Sequence, residues 1–100
     1  MCDYLKELER YKYIKEVGDL INEIIKLREY YHTQNYVEME QHINHIANKY
    51  LVERVVWNTN HPVPVYSPEQ QYGIAEEFLY RIGVEILAKY NLKLLSNIPQ

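Results

Sequence analysis

The chain has 100 residues, a formal net charge of −3, and 47% apolar against 25% charged residues. That is enough apolar surface for one core and too little length for a second domain, so a single helical domain over 1–100 is expected rather than wholesale disorder. Charges begin at Asp3, and the longest uncharged run, Val55 to Pro68, carries Pro62, Pro64 and Pro68, so neither a secretory leader nor a membrane span is expected.

Asp3 stands as the N-cap of a helical pattern that reaches Tyr31. Along it Tyr13, Val17, Leu20, Ile24, Leu27 and Tyr31 recur at spacings of four and three, which places all six on one helix face. An unbroken helix of that extent would be roughly 43 Å long, against a radius of gyration of about 13 Å for a compact domain of this size. Part of its stripe is therefore expected to pack on a second copy, giving a homodimer through the first helix. Gly18 is the expected weak point, because an internal glycine costs about 1 kcal/mol relative to alanine. Continuity with a kink there is the favoured reading.

His32 to Asn35 breaks the pattern, and Asn35 with Glu38 has the spacing of a capping box for a second helix. Met39, Ile43, Ile46 and Tyr50 form its stripe. Leu51 to Trp57 is ambiguous between strand and helix, and Asn58 to Pro68 reads as a Pro-rich loop. A short β-hairpin over 51–66 would set Val63 and Val65 opposite Val55. Ser67, Pro68, Glu69 and Gln70 then supply an N-cap, a proline at the first helical position and a capping-box partner. Ala75, Phe78, Leu79, Ile82, Ile86 and Tyr90 make the face of this third helix, Asn91 is its left-handed C-cap, and the tail after Leu95 frays. The expected fold is mainly α with three major helices.

Cys2 is the only cysteine, so no internal disulfide or multi-cysteine zinc site can form, and a cytoplasmic location follows. Eleven tyrosines, many Ile, Asn and Lys, and only three alanines favour residues with AT-rich codons. An AT-rich microbial or viral source fits that bias, with the host cytoplasm as the location if viral. Tyrosine offers large contact area at low rotamer cost and is enriched at interfaces, so its excess supports an association surface.

Lys6, Arg10, Lys12 and Lys15 lie beside Tyr4, Tyr11 and Tyr13, but Glu7, Glu9 and Glu16 dilute them, and a solvated face is preferred over a nucleic-acid surface. Gly18, Gly73 and Gly83 each stand alone, so no phosphate-cradling loop and no cofactor is expected. Glu38, His42 and His45, at spacings of four and three, can offer one oxygen and two nitrogens to a divalent metal.

Arg54 and His61 are separated by six residues. The pair resembles the Arg-then-His motif of the HEPN ribonucleases, a family of all-helical dimers, with Val55 where that family commonly has a polar residue. The resemblance implies metal-independent RNA cleavage, in which His61 takes a proton from a ribose hydroxyl and Arg54 stabilises charge on the phosphate. Trp57, His61, Val63, Val65 and Tyr66 together would instead form an aromatic binding patch on a loop that loses little entropy on binding. The favoured function is a noncatalytic interaction or regulatory protein, a dimeric scaffold presenting the loop from Asn58 to Ser67 to a protein partner. The ribonuclease is the alternative, and metal binding through Glu38, His42 and His45 comes third.

Overall fold

The computed structural model describes residues 4–50 and 66–93. These form four helices, α1 (Tyr4–Glu9), α2 (Lys15–His32), α3 (Tyr36–Lys49) and α4 (Pro68–Lys89), with no strand among the described residues. The mainly α expectation holds, with three major helices preceded by a short one. Of the hairpin read at 51–66 only Tyr66 is described, and it is not in a strand; the rest of it, the Asp3 cap and the tail after Leu95 fall outside the described residues.

The expected unbroken helix from Asp3 to Tyr31 does not form. Short-range bonds tighten the end of α1, with Tyr11 N–H donating to the Leu8 carbonyl at 2.9 Å and Ile14 N–H to the Tyr11 carbonyl at 2.9 Å. Ile14 is extended, at φ −82° and ψ 122°, and α2 starts after it. Neither glycine nor proline marks this break. Its driving force is burial: α1 turns back onto α2, and Leu8 becomes fully buried. Tyr13, assigned to the buried stripe, falls in the turn and is 76% exposed. α2 is continuous through Gly18, where the Lys12 carbonyl oxygen would lie 3.4 Å from an added Cβ.

α2 is the central element, touching α1, α3 and α4, while α3 also meets α4. Val17, Leu20, Ile24 and Leu27 are fully buried within this one chain. They meet Met39, Ile43 and Ile46 of α3 and Ala75, Leu79, Ile82, Ile86 and Leu87 of α4 in one core. Dimerisation through the α2 stripe thereby loses its physical motive. Six of the eleven tyrosines, Tyr4, Tyr11, Tyr30, Tyr31, Tyr50 and Tyr72, are partly buried against this core.

Gly83 lets α4 approach closely, since a Cβ there would lie 3.2 Å from side-chain carbons of both Leu8 and Leu20. Gly73 on the same helix faces open space. Gly73→Ala is therefore expected to stabilise the fold by about 0.5 to 1 kcal/mol through helix propensity alone. Gly83→Ala should fall short of that gain, and the two urea midpoints compared side by side check it.

The helix ends follow local chemistry. Ser67 Oγ accepts from Gln70 N–H at 3.2 Å and Gln70 Oε1 accepts from Ser67 N–H at 3.1 Å, the expected capping box with Pro68 following the cap. The box expected from Asn35 and Glu38 is absent, because Asn35 N–H already donates to the Tyr30 carbonyl at 2.9 Å. That bond, with Gln34 at φ 60°, closes α2 in a Schellman turn. Asn91, also at φ 60°, closes α4 the same way, with Leu92 N–H bonded to the Leu87 carbonyl.

Candidate interaction surface

Between α2 and α3 lies a polar cluster centred on Glu23, a carboxylate on the buried face of α2. Lys49 Nζ donates to its Oε2 at 2.8 Å, His45 Nε2 is 3.4 Å from the same oxygen, and His42 Nε2 is 3.5 Å from Oε1. His42 Nε2 also lies 3.2 Å from the Glu23 carbonyl oxygen. A carbonyl only accepts, so this nitrogen carries the proton. Burial pushes the Glu23 carboxyl upward, but the hydrogen bond and charge of Lys49, with His42 and His45, hold it below its ordinary value. Burial also drives the His42 imidazole below its ordinary value, against the opposing pull of the Glu23 hydrogen bond and charge.

His42 and His45 thus turn to Glu23, and Glu38 is exposed on α3. Among the described residues, no three His, Cys, Asp or Glu side chains are arranged to hold a metal ion. Sequence reasoning missed Glu23. Its signal was available, for Glu23 stands three residues after Leu20 and four before Leu27, on the face assigned to the core.

A second cluster joins α2 to α4. Arg28 Nη2 bonds Glu76 Oε1 at 2.6 Å, and the guanidinium carbon sits 5.7 Å from the centre of the Tyr4 ring. Tyr4 Oη donates to the Glu76 carbonyl at 3.3 Å, and its ring meets Tyr80 edge-on at 4.8 Å. Burial and the neighbouring Glu76 raise the pKa of the Tyr72 hydroxyl, which stays protonated as a donor.

The C-terminus of α2 and the N-termini of α3 and α4 meet at one end of the bundle, and an aromatic group gathers there. Tyr31 and Tyr72 stack at 4.2 Å with planes 8° apart. His32 and Tyr36 flank them, 6.4 Å from Tyr72 and from Tyr31 respectively. His32 is exposed, Tyr36 is 37% exposed and the adjacent Val37 is 67% exposed. Tyr66, a member of the expected patch, leads into α4 half-buried, and its carbonyl accepts from Gln71 Nε2 at 3.0 Å. Trp57, His61, Val63 and Val65, together with Arg54 of the ribonuclease pair, lie outside the described residues.

Towards the other end an open groove of about 360 Å³ is lined by Glu16, Asp19, Lys49, Tyr50, Ile82 and Glu85, among others. Several of its charges already have partners: Glu16 accepts from Lys89 at 3.2 Å and from Tyr90 at 2.7 Å, and Lys49 donates to Glu23. No helix among the described residues is long and apolar enough to cross a membrane. Comparison with family models, curated proteins and solved structures finds no match for this chain.

Proposed function

We infer that the chain is a small noncatalytic interaction or regulatory protein of the cytoplasm, whose helical scaffold presents a tyrosine-rich surface and the loop from Asn58 to Ser67 to a protein partner. The observation that carries this reading is the partly exposed group of Tyr31, His32, Tyr36 and Tyr72 where three helix ends converge. Rings of this kind give large contact area and lose few rotamers on binding, and tyrosine is enriched in protein interfaces. Tyr66 enters α4 at this same end of the helix.

The test is affinity capture from extracts of the source cell with the folded chain as bait. A specific partner retained by the wild type and lost by the Trp57→Ala, Tyr66→Ala double variant is the expected result. Unchanged capture by a normally folded variant would remove the loop from this function. Light scattering on the untagged chain separately tests self-association. Twice the 12.1 kDa chain mass would support a homodimer formed on a face other than the α2 stripe.

A further inference from the structure

Two stretches of the chain lack basic residues, and the fold brings parts of both to one end of the bundle. Residues 29–48 and 66–76 contain Glu29, Glu38, Glu40, Glu69 and Glu76 and no Lys or Arg. Glu76 is held by Arg28. Glu29, Glu40 and Glu69 are exposed and have no ion-pair partner among the described residues.

Each of these three lies one helical turn from a member of the aromatic group. Glu29 precedes His32 by three, Glu40 follows Tyr36 by four, and Glu69 precedes Tyr72 by three. The partly exposed rings are thus rimmed by carboxylates from all three helices that pair with no cation among the described residues. The α2 C-terminus at this end adds the negative pole of its dipole, while Glu38 and Glu69 face the positive poles of α3 and α4.

We propose that the face formed by Tyr31, His32, Tyr36 and Tyr72, rimmed by Glu29, Glu40 and Glu69, is a docking surface for an arginine- or lysine-bearing protein segment. This rests on the interaction reading above and names the partner's chemistry. Tyrosine faces attract cations through the ring quadrupole, and a carboxylate one turn away supplies the counter-charge. The molecule already uses the same pairing internally, where Arg28 lies over the Tyr4 ring while bonding Glu76. An acidic segment would meet like charge at every rim position, and a purely apolar one would leave the carboxylates facing it without partners.

The experiment measures fluorescence anisotropy of a labelled decapeptide of alternating arginine and glycine, with alternating glutamate and glycine as the counter-probe, at about 0.15 M salt, where screening already acts within roughly 8 Å. Binding of the arginine peptide is expected, with amide shifts centred on His32, Tyr36 and Tyr72 in heteronuclear spectra. The Glu40→Gln, Glu69→Gln double variant should bind at least fivefold more weakly and Tyr36→Ala at least threefold more weakly. Glu9→Gln with Glu85→Gln, an equal charge change elsewhere, should stay within twofold of wild type.

Equal weakening by the two double variants would reduce the attraction to net charge and overturn the proposal. Binding of the glutamate peptide, absence of arginine-peptide binding, or protection of this face by a second copy of the chain would overturn it as well. If the peptide fails while a partner is still captured through Trp57 and Tyr66, the surface assignment falls and the interaction reading stands.

Discussion

Leu20→Ala is expected to lower folding stability by about 3 to 5 kcal/mol, the range for a leucine removed from a site that cannot collapse. Leu20 is fully buried on the central helix, and its Cδ2 lies against Gly83 beside Leu8, where α1, α2 and α4 meet. Little slack exists at such a junction, so the cavity stays open and the contacts lining it are lost. For a domain whose total stability is on the order of 5 to 15 kcal/mol, this is a large share. Ile25→Ala, on the exposed side of α2, should cost under about 1 kcal/mol. Urea unfolding of the two variants checks the contrast. Comparable losses would mean that Leu20 is not at the centre of the packing.

The second large effect is electrostatic. Glu23→Ala removes the one acidic partner shared by Lys49, His42 and His45 in the α2–α3 cluster. Breaking a buried pair typically costs about 3 to 5 kcal/mol, but the Lys49 side chain is 37% exposed and its ammonium can regain water. A loss of about 2 to 3 kcal/mol is expected on that basis.

The same cluster sets a pH dependence with a definite sign. The folded His42 lies below its ordinary value of 6.5, so the unfolded chain takes up that proton first. Its contribution is intact above 6.5 and is lost as pH falls through the folded value. Glu23 is likewise lowered, so its contribution is present above the ordinary 4.5 and is lost as pH falls through its folded value. Lys49 is raised, chiefly by its hydrogen bond to Glu23, so its contribution is present below 10.5 and is lost as pH rises through its folded value. Stability should therefore form a plateau at neutral to mildly alkaline pH and decline on both sides. Urea midpoints measured against pH should show a shallower acid limb for Glu23→Ala. An unchanged slope below about pH 5 would show that Glu23 does not carry it.

What could be read in the chain was whatever depends on neighbours within about one turn. Ser67 to Gln70 announced the start of α4 because both bonds of a capping box run between those two residues. Asn91 announced its end because a left-handed residue is chosen by its own side chain. The stripes of α3 and α4 followed in the main from the helical period: Met39, Ile43, Ile46, Ala75, Leu79, Ile82 and Ile86 are buried and Tyr50 and Phe78 partly so, whereas Tyr90, assigned to the α4 face, is its C-cap and 47% exposed.

Tertiary structure decided the break between α1 and α2 and the composition of the surface. Nothing local stops the helix between Arg10 and Ile14. The turn is favoured by contacts far away in sequence, such as Leu8 near Gly83 and Tyr4 bonded to the carbonyl of residue 76. The expected dimer seam closed inside one chain for the same reason, because α3 and α4 cover the face of α2 that seemed to need a second copy. Glu29, Glu40 and Glu69 read as scattered surface charges until three helix ends bring them around one group of rings. Periodicity assigns a residue to a face of its own helix, whereas the face it then shares with other helices depends on how they pack, and that is decided by burial summed over the whole core.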